Sequence, residues 1–131
     1  MYKILVVDDE AYIRMLMEDT LESLEHPQIE ILSAENGQEA LEIIQAQCPQ
    51  IVFLDVMMPR MNGFTVCQTV KRDWQMTDVY ICMVSAKSQG YDVQHGVDVG
   101  ADKYLVKPFK LDEMLDLVRN VLNLEIPSKR G

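Results

Sequence analysis

No stretch of this chain stays apolar for the roughly 18–20 residues that a membrane span requires, so insertion into a bilayer is not expected. Cysteine is scarce: Cys48, Cys67 and Cys82 share no metal-ligand spacing. An odd, irregularly spaced set argues against a disulfide framework and for small apolar core fillers in a reducing cytoplasm. Basic residues are few, 12 Lys and Arg against 21 Asp and Glu, giving a net charge of −9. Clustered cations grip a nucleic-acid backbone, so direct nucleic-acid binding by this domain is not expected. The short run Lys129-Arg130 does not reverse that. An acidic surface favours solubility and suits a protein or cationic partner. Repeats, low-complexity segments and an interdomain linker are lacking too. Met1-Tyr2-Lys3 leads straight into a strand pattern rather than a signal peptide.

What is present is patterning. With 131 residues and 48% hydrophobic content, the chain suits one domain with a substantial core. Strands are expected over residues 3–7, 29–33, 50–54, 79–84 and 103–106, alternating with helical stretches. Ile13, Leu16, Met17, Thr20, Leu21 and Leu24 recur at helical spacing in the first helix. Leu111, Met114, Leu115, Val118, Val121 and Leu122 do so in the last, with Asp112 and Glu113 in its first turn. Helices are also expected over 37–47, capped by Asn36, and over 63–73. A fourth, over 87–99, is weakened by Gly90 and Gly96, each costing roughly 1 kcal/mol against Ala. Strict β–α alternation predicts an α/β fold: a parallel sheet, helices on both faces, right-handed crossovers. Residues 126–131 read as a loose tail.

In such a sheet every strand's C-terminal end faces one rim, where open α/β folds keep their ligands. The run Ile51-Val52-Phe53-Leu54 ends on Asp55, and Ile4-Leu5-Val6-Val7 ends on Asp8 and Asp9. Three converging carboxylates repel one another strongly unless a cation or a shared proton relieves them. Ser85 and Ala86 follow the fourth strand, and Lys107-Pro108 follows the fifth. The rim therefore gathers three acids, a hydroxyl and a lysine.

Asp8-Asp9, Asp55 with Met58-Pro59, Ser85-Ala86 and Lys107-Pro108-Phe109, in this order at these strand ends, resemble the receiver domain of two-component response regulators. Asn62-Gly63-Phe64 and Gly100-Ala101-Asp102-Lys103-Tyr104 resemble it as well. The likeness spans residues 3 to about 124, so a receiver domain is expected over 1–124, with 125–131 as a tail or the start of a linker. It implies a five-stranded, doubly wound, flavodoxin-like sheet in the order 2-1-3-4-5, which sets Asp9 beside Asp55. It implies Asp55 as phosphoacceptor, and Mg²⁺ (or Mn²⁺) held by Asp9, Asp55 and the Met57 backbone carbonyl, with Asp8 acting through water. Lys107 is expected against Asp55 and then the phosphoryl group, aimed by a cis Lys107-Pro108 peptide. Ser85 and Tyr104 are the implied switch residues. The implied donor is a histidine kinase or histidine phosphotransfer protein. The implied output surface joins the fourth helix, fifth strand and fifth helix.

Met57 and Lys87, two positions beyond Asp55 and Ser85, occupy places that in this family influence how water reaches an acyl phosphate. A thioether cannot orient a water, so slow self-dephosphorylation is expected. A receiver cut from a larger regulator with a DNA-binding or enzymatic output domain is the alternative reading. A Mg²⁺-dependent phosphohydrolase fits less well, because such enzymes need a nearby general acid or base, often an Asp where this chain has Met57. A flavodoxin-type cofactor binder fits less well still, since the first strand–helix turn carries acids rather than a phosphate-cradling loop.

Overall fold

The computed structural model describes residues 1–85, 99–107 and 110–124. Five parallel strands, β1 (Tyr2–Val7), β2 (Ile29–Ala34), β3 (Ile51–Asp55), β4 (Tyr80–Ser85) and β5 (Lys103–Val106), form one sheet in the order β2-β1-β3-β4-β5. The helices are α1 (Ala11–Glu22), α2 (Gly37–Gln47), α3 (Gly63–Gln68) and α4 (Leu111–Leu122). This is the expected α/β fold in the expected order. The helix expected over 87–99, with Gly90 and Gly96, lies outside the described residues apart from Val99. So do Ala86, Lys87, Pro108, Phe109 and the tail.

The central strands show why the apolar runs are unbroken rather than alternating. Every residue of β3 is buried, because successive side chains enter opposite cores. On one face Leu5, Val7, Val52, Leu54, Ile81 and Met83 pack with Ala40 and Ile44 of α2 and Phe64, Val66 and Cys67 of α3. On the other, Ile4, Val6, Ile51, Phe53, Cys82 and Val84 pack with Met17 and Leu21 of α1 and Met114, Leu117 and Val118 of α4.

Local chemistry sets the helix starts. Asn36 Oδ1 accepts the Glu39 N–H at 2.8 Å, and Asn62 Oδ1 accepts the Thr65 N–H at 3.0 Å. Glu113 reaches back to accept the Lys110 N–H at 3.3 Å. The stretch expected as one helix over 63–73 divides: α3 passes into a π-helical turn over Thr69–Asp73, where the Trp74 N–H donates to the Thr69 carbonyl at 2.8 Å. That five-residue step is the mark of a π-bulge.

The π-turn is also an anchor. Lys71 Nζ pairs with Asp102 Oδ2 at 2.7 Å and donates to the Thr77 carbonyl at 3.2 Å. Asp102 Oδ2 accepts the Ile81 N–H at 2.9 Å. Gly100, at φ +93°, would bring a Cβ to 3.2 Å from the Lys71 Cβ. The entry to β5 is therefore fastened to the end of α3, at the pole opposite the strand C-termini.

Candidate cation and phosphoryl site

In the order β2-β1-β3-β4-β5 the connection after β1 runs to one side, to β2, and the connection after β3 runs to the other, to β4. A crevice opens where those directions part, outside the strand C-termini. Val7 pairs with Leu54 across it, so Asp8 and Asp9 leave β1 next to Asp55. The strand signal expected to stop at Leu54 continues one residue, and Asp55 pairs with Val84 as the last residue of β3. Carboxylate oxygens of Asp8, Asp9 and Asp55 all lie within 4.8 Å of one another. The three acids thus converge as their positions at strand ends require.

Their environments differ. Asp8 is 1% exposed, Asp55 is 7% exposed, and Asp9 faces solvent. Both Asp8 oxygens are engaged: Oδ1 accepts the Glu10 N–H at 2.9 Å and Oδ2 meets Lys107 Nζ at 3.1 Å. Asp55 Oδ1 accepts a long hydrogen bond from the Met57 N–H at 3.4 Å. Burial raises the Asp55 carboxyl to about 7, and the charge of Asp8 adds to the rise. The Lys107 cation and the Met57 N–H oppose it, and Asp9 contributes a smaller push upward.

Lys107 pairs with Asp55, as expected, and more closely with Asp8. Its ammonium is 3.1 Å from Asp8 and 3.9 Å from Asp55, so it leans on the more deeply buried acid while facing both. A carboxylate out of water needs a cation more than one at a crevice mouth. The Lys107 N–H donates to the Ser85 carbonyl at 2.5 Å, which seats the lysine at the rim beside the end of β4. Ser85 is 3% exposed. Tyr104 is half-buried and packs against the core between the sheet and α2–α3, below the crevice. The Met57 side chain is 71% exposed.

Three features were not anticipated. Gly63 donates its N–H to the Val56 carbonyl at 2.9 Å, and a Cβ there would sit 2.3 Å from the Asp55 carbonyl oxygen. Arg60 has φ +70° between Pro59 and Met61, whose carbonyl and N–H meet at 2.7 Å; this is the rarer, strained form of γ-turn. Arg14 Nη1 donates to the Asp8 carbonyl at 2.8 Å. Asn62-Gly63 was visible only as part of the family resemblance; nothing local marks Arg14 or Arg60.

A sheet with three carboxylates and a lysine at its switch point defines an α/β domain suited to hold a cation among acids. The chain matches the response regulator receiver domain over residues 4–119, and it belongs to that family. Among curated relatives, a probable transcriptional regulator ycf27 of Porphyra purpurea is 43% identical over 120 residues, covering 92% of this chain and 47% of the relative. The DNA-binding dual master transcriptional regulator RpaA of Synechocystis is 38% identical over 122 residues, covering 93% of this chain and 49% of its own. The chain therefore spans about half the length of these relatives. The chemotaxis protein CheY4 of Vibrio cholerae has a TM-score of 0.82 at 33% identity, covering 92% of this chain and 98% of CheY4. Among the described residues no helix is long and apolar enough to cross a membrane.

Proposed function

We propose that Asp55 accepts a phosphoryl group from a phosphohistidine of a histidine kinase or phosphotransfer protein, and that the modification switches a protein-binding surface. The observation that carries this reading is the convergence of three carboxylates within 4.8 Å, with Lys107 facing Asp8 and Asp55. An Asp55 oxygen attacks phosphorus, the P–N bond to the donor imidazole breaks, and the imidazole leaves with a proton. A carboxylate is a weak nucleophile, so the chain must orient the group and neutralise its charge.

Asp9, Asp55 and the Met57 carbonyl would hold Mg²⁺ (or Mn²⁺), a hard ion that prefers six oxygens. When bound, it would balance charge on the phosphoryl oxygens. Asp8 suits contact through water, because its own oxygens already accept from Glu10 and Lys107. The new group adds roughly −1.5 to −2 charges at one point. Lys107 would turn from Asp8 toward it, and the Ser85 hydroxyl would hydrogen-bond to it. Tyr104 would respond as the loop beyond Ser85 moves, altering the face of the expected 87–99 helix, β5 and α4. In this reading the receiver occupies 1–124, with 125–131 as tail or linker. It works in the cytoplasm and undergoes chemistry on itself rather than turning over other substrates.

Incubation with acetyl phosphate, with and without Mg²⁺, followed by intact-mass measurement tests this. A Mg²⁺-dependent gain of one phosphoryl group, absent from Asp55→Asn, is expected. No gain under either condition would overturn it. The length of the regulators it resembles favours a second reading, in which the same switch governs a DNA-binding output in a longer protein. The intact mass of the native protein from its source distinguishes the two.

A further inference from the structure

We propose that Arg14 is a positioning residue for the cation site, fixing the Asp8–Asp9 peptide so that the Asp9 carboxylate faces Asp55. This rests on the reading of the three acids as a cation site. Asp9 is the acid that most needs outside help. It is exposed, and among the described residues no hydrogen bond holds its carboxylate. Its placement near Asp8 and Asp55 must therefore come from its backbone.

That backbone is held from both sides of Asp8. The Asp8 N–H still donates to the Ala34 carbonyl at 3.2 Å, continuing the β1–β2 ladder one residue past the strand. The Asp8 carbonyl is taken by Arg14 Nη1 at 2.8 Å. A peptide unit is planar, so holding the Asp8 carbonyl also orients the Asp9 N–H and the bond to its Cα. The reach is natural. Arg14 lies in the first turn of α1, and helix side chains lean toward the helix N-terminus, here toward the end of β1. The Arg14 N–H donates to the Glu10 carbonyl at 3.1 Å, which fixes the side chain's root. Its side chain is mostly buried, at 17% exposure, while the Glu35 side chain, 3.9 Å away, is 63% exposed and holds it weakly. The Asp8 carbonyl is thus the principal partner of Arg14, in a charge-assisted bond stronger than a neutral one.

The alternative is that Arg14 matters only as a positive charge, and the two roles predict opposite results. A bare cation near the acids repels a metal ion, so its removal should tighten Mg²⁺ binding. A positioning residue aligns a ligand, so its removal should weaken it. Calorimetric titration of the full chain with MgCl₂, beside urea unfolding of the metal-free protein, separates them. Arg14→Ala should bind Mg²⁺ about ten-fold more weakly, the scale found when partners of metal ligands are removed. Arg14→Lys, which keeps a donor, should recover most of that loss, and the metal-free unfolding midpoints of the two variants should be close. If Arg14→Ala does not fold, Arg14→Met, which keeps the apolar stem, replaces it. Equal or tighter binding without the guanidinium overturns the proposal, as does a lysine variant as weak as alanine. Absence of Mg²⁺ binding by the unaltered chain overturns the cation reading itself and this inference with it. Binding there without a loss in the Arg14 variants overturns this inference alone.

Discussion

Gly63 approaches the Asp55 backbone so closely that a Cβ on it would lie 2.3 Å from the Asp55 carbonyl oxygen. No side chain yields there, because the obstacle is main chain. The first residue of α3 is thereby pressed against the end of β3, and the Gly63 N–H donates to the Val56 carbonyl at 2.9 Å. Gly63→Ala should destabilise the fold by about 2 kcal/mol or more, the scale of enforced backbone strain. It should also slow phosphorylation by acetyl phosphate. Urea unfolding and intact mass check the two effects, and a variant as stable as the parent would show that the loop after Asp55 yields easily.

Asp55 should make the metal-free chain less stable as the solution becomes more alkaline. Its carboxyl is raised from 3.8 to about 7, first by burial and then by Asp8, so the folded chain holds that proton more tightly than the unfolded one. This contribution to stability is complete below 3.8 and is lost as pH rises through about 7. Asp55→Asn removes the charge. In EDTA at pH 8 the variant should be the more stable by roughly 1–3 kcal/mol, and the advantage should shrink toward pH 5. Urea midpoints measured at both pH values check the sign.

Arg60→Gly should stabilise the chain. Arg60 adopts φ +70°, a conformation that disfavours an L side chain and suits glycine. Relief of that strain outweighs the added freedom of the unfolded chain, for a net gain of about 0.5–1 kcal/mol. A lower thermal midpoint would mean that the Arg60 side chain makes contacts worth more than the strain it imposes.

The thiols should separate into one fast and two slow. Cys48 is exposed, whereas burial pushes both Cys67 and Cys82 up to about 12. At pH 8 an aromatic disulfide reagent should modify one thiol per folded chain quickly, and all three in urea. The two buried thiols hold their protons more tightly in the fold. Their contribution is complete below 9.0 and declines as the pH climbs toward 12, so alkaline unfolding should shift in Cys82→Ala.

The parts of the fold legible in sequence were those whose cause is local or periodic. β3 could be read as an unbroken apolar run because it has a core on both sides, and α2 because Asn36 caps it. The acids could be read because they stop strands, and a strand end in an α/β sheet has a known destination. Lys107 was legible as a rim residue, but its preference for Asp8 over Asp55 was not, since it depends on which acid is buried more deeply. The π-turn over Thr69–Asp73 and the Lys71–Asp102 pair come from segments that meet only in the folded chain. The same holds for Arg14, whose bond to the Asp8 carbonyl involves a backbone atom that every residue carries.

The pairing of β1 with β3 has a consequence for when the molecule becomes competent. Val7 and Leu54 are register partners, yet α1, β2 and α2 lie between them in the chain. The acidic crevice cannot exist until that whole crossover has been laid down and the third strand docked. A nascent or misfolded chain carries every one of the three aspartates but lacks the crevice that gathers them. Under the proposed function, competence to be modified would therefore be a certificate of assembly, and a faulty copy would be silent rather than misleading.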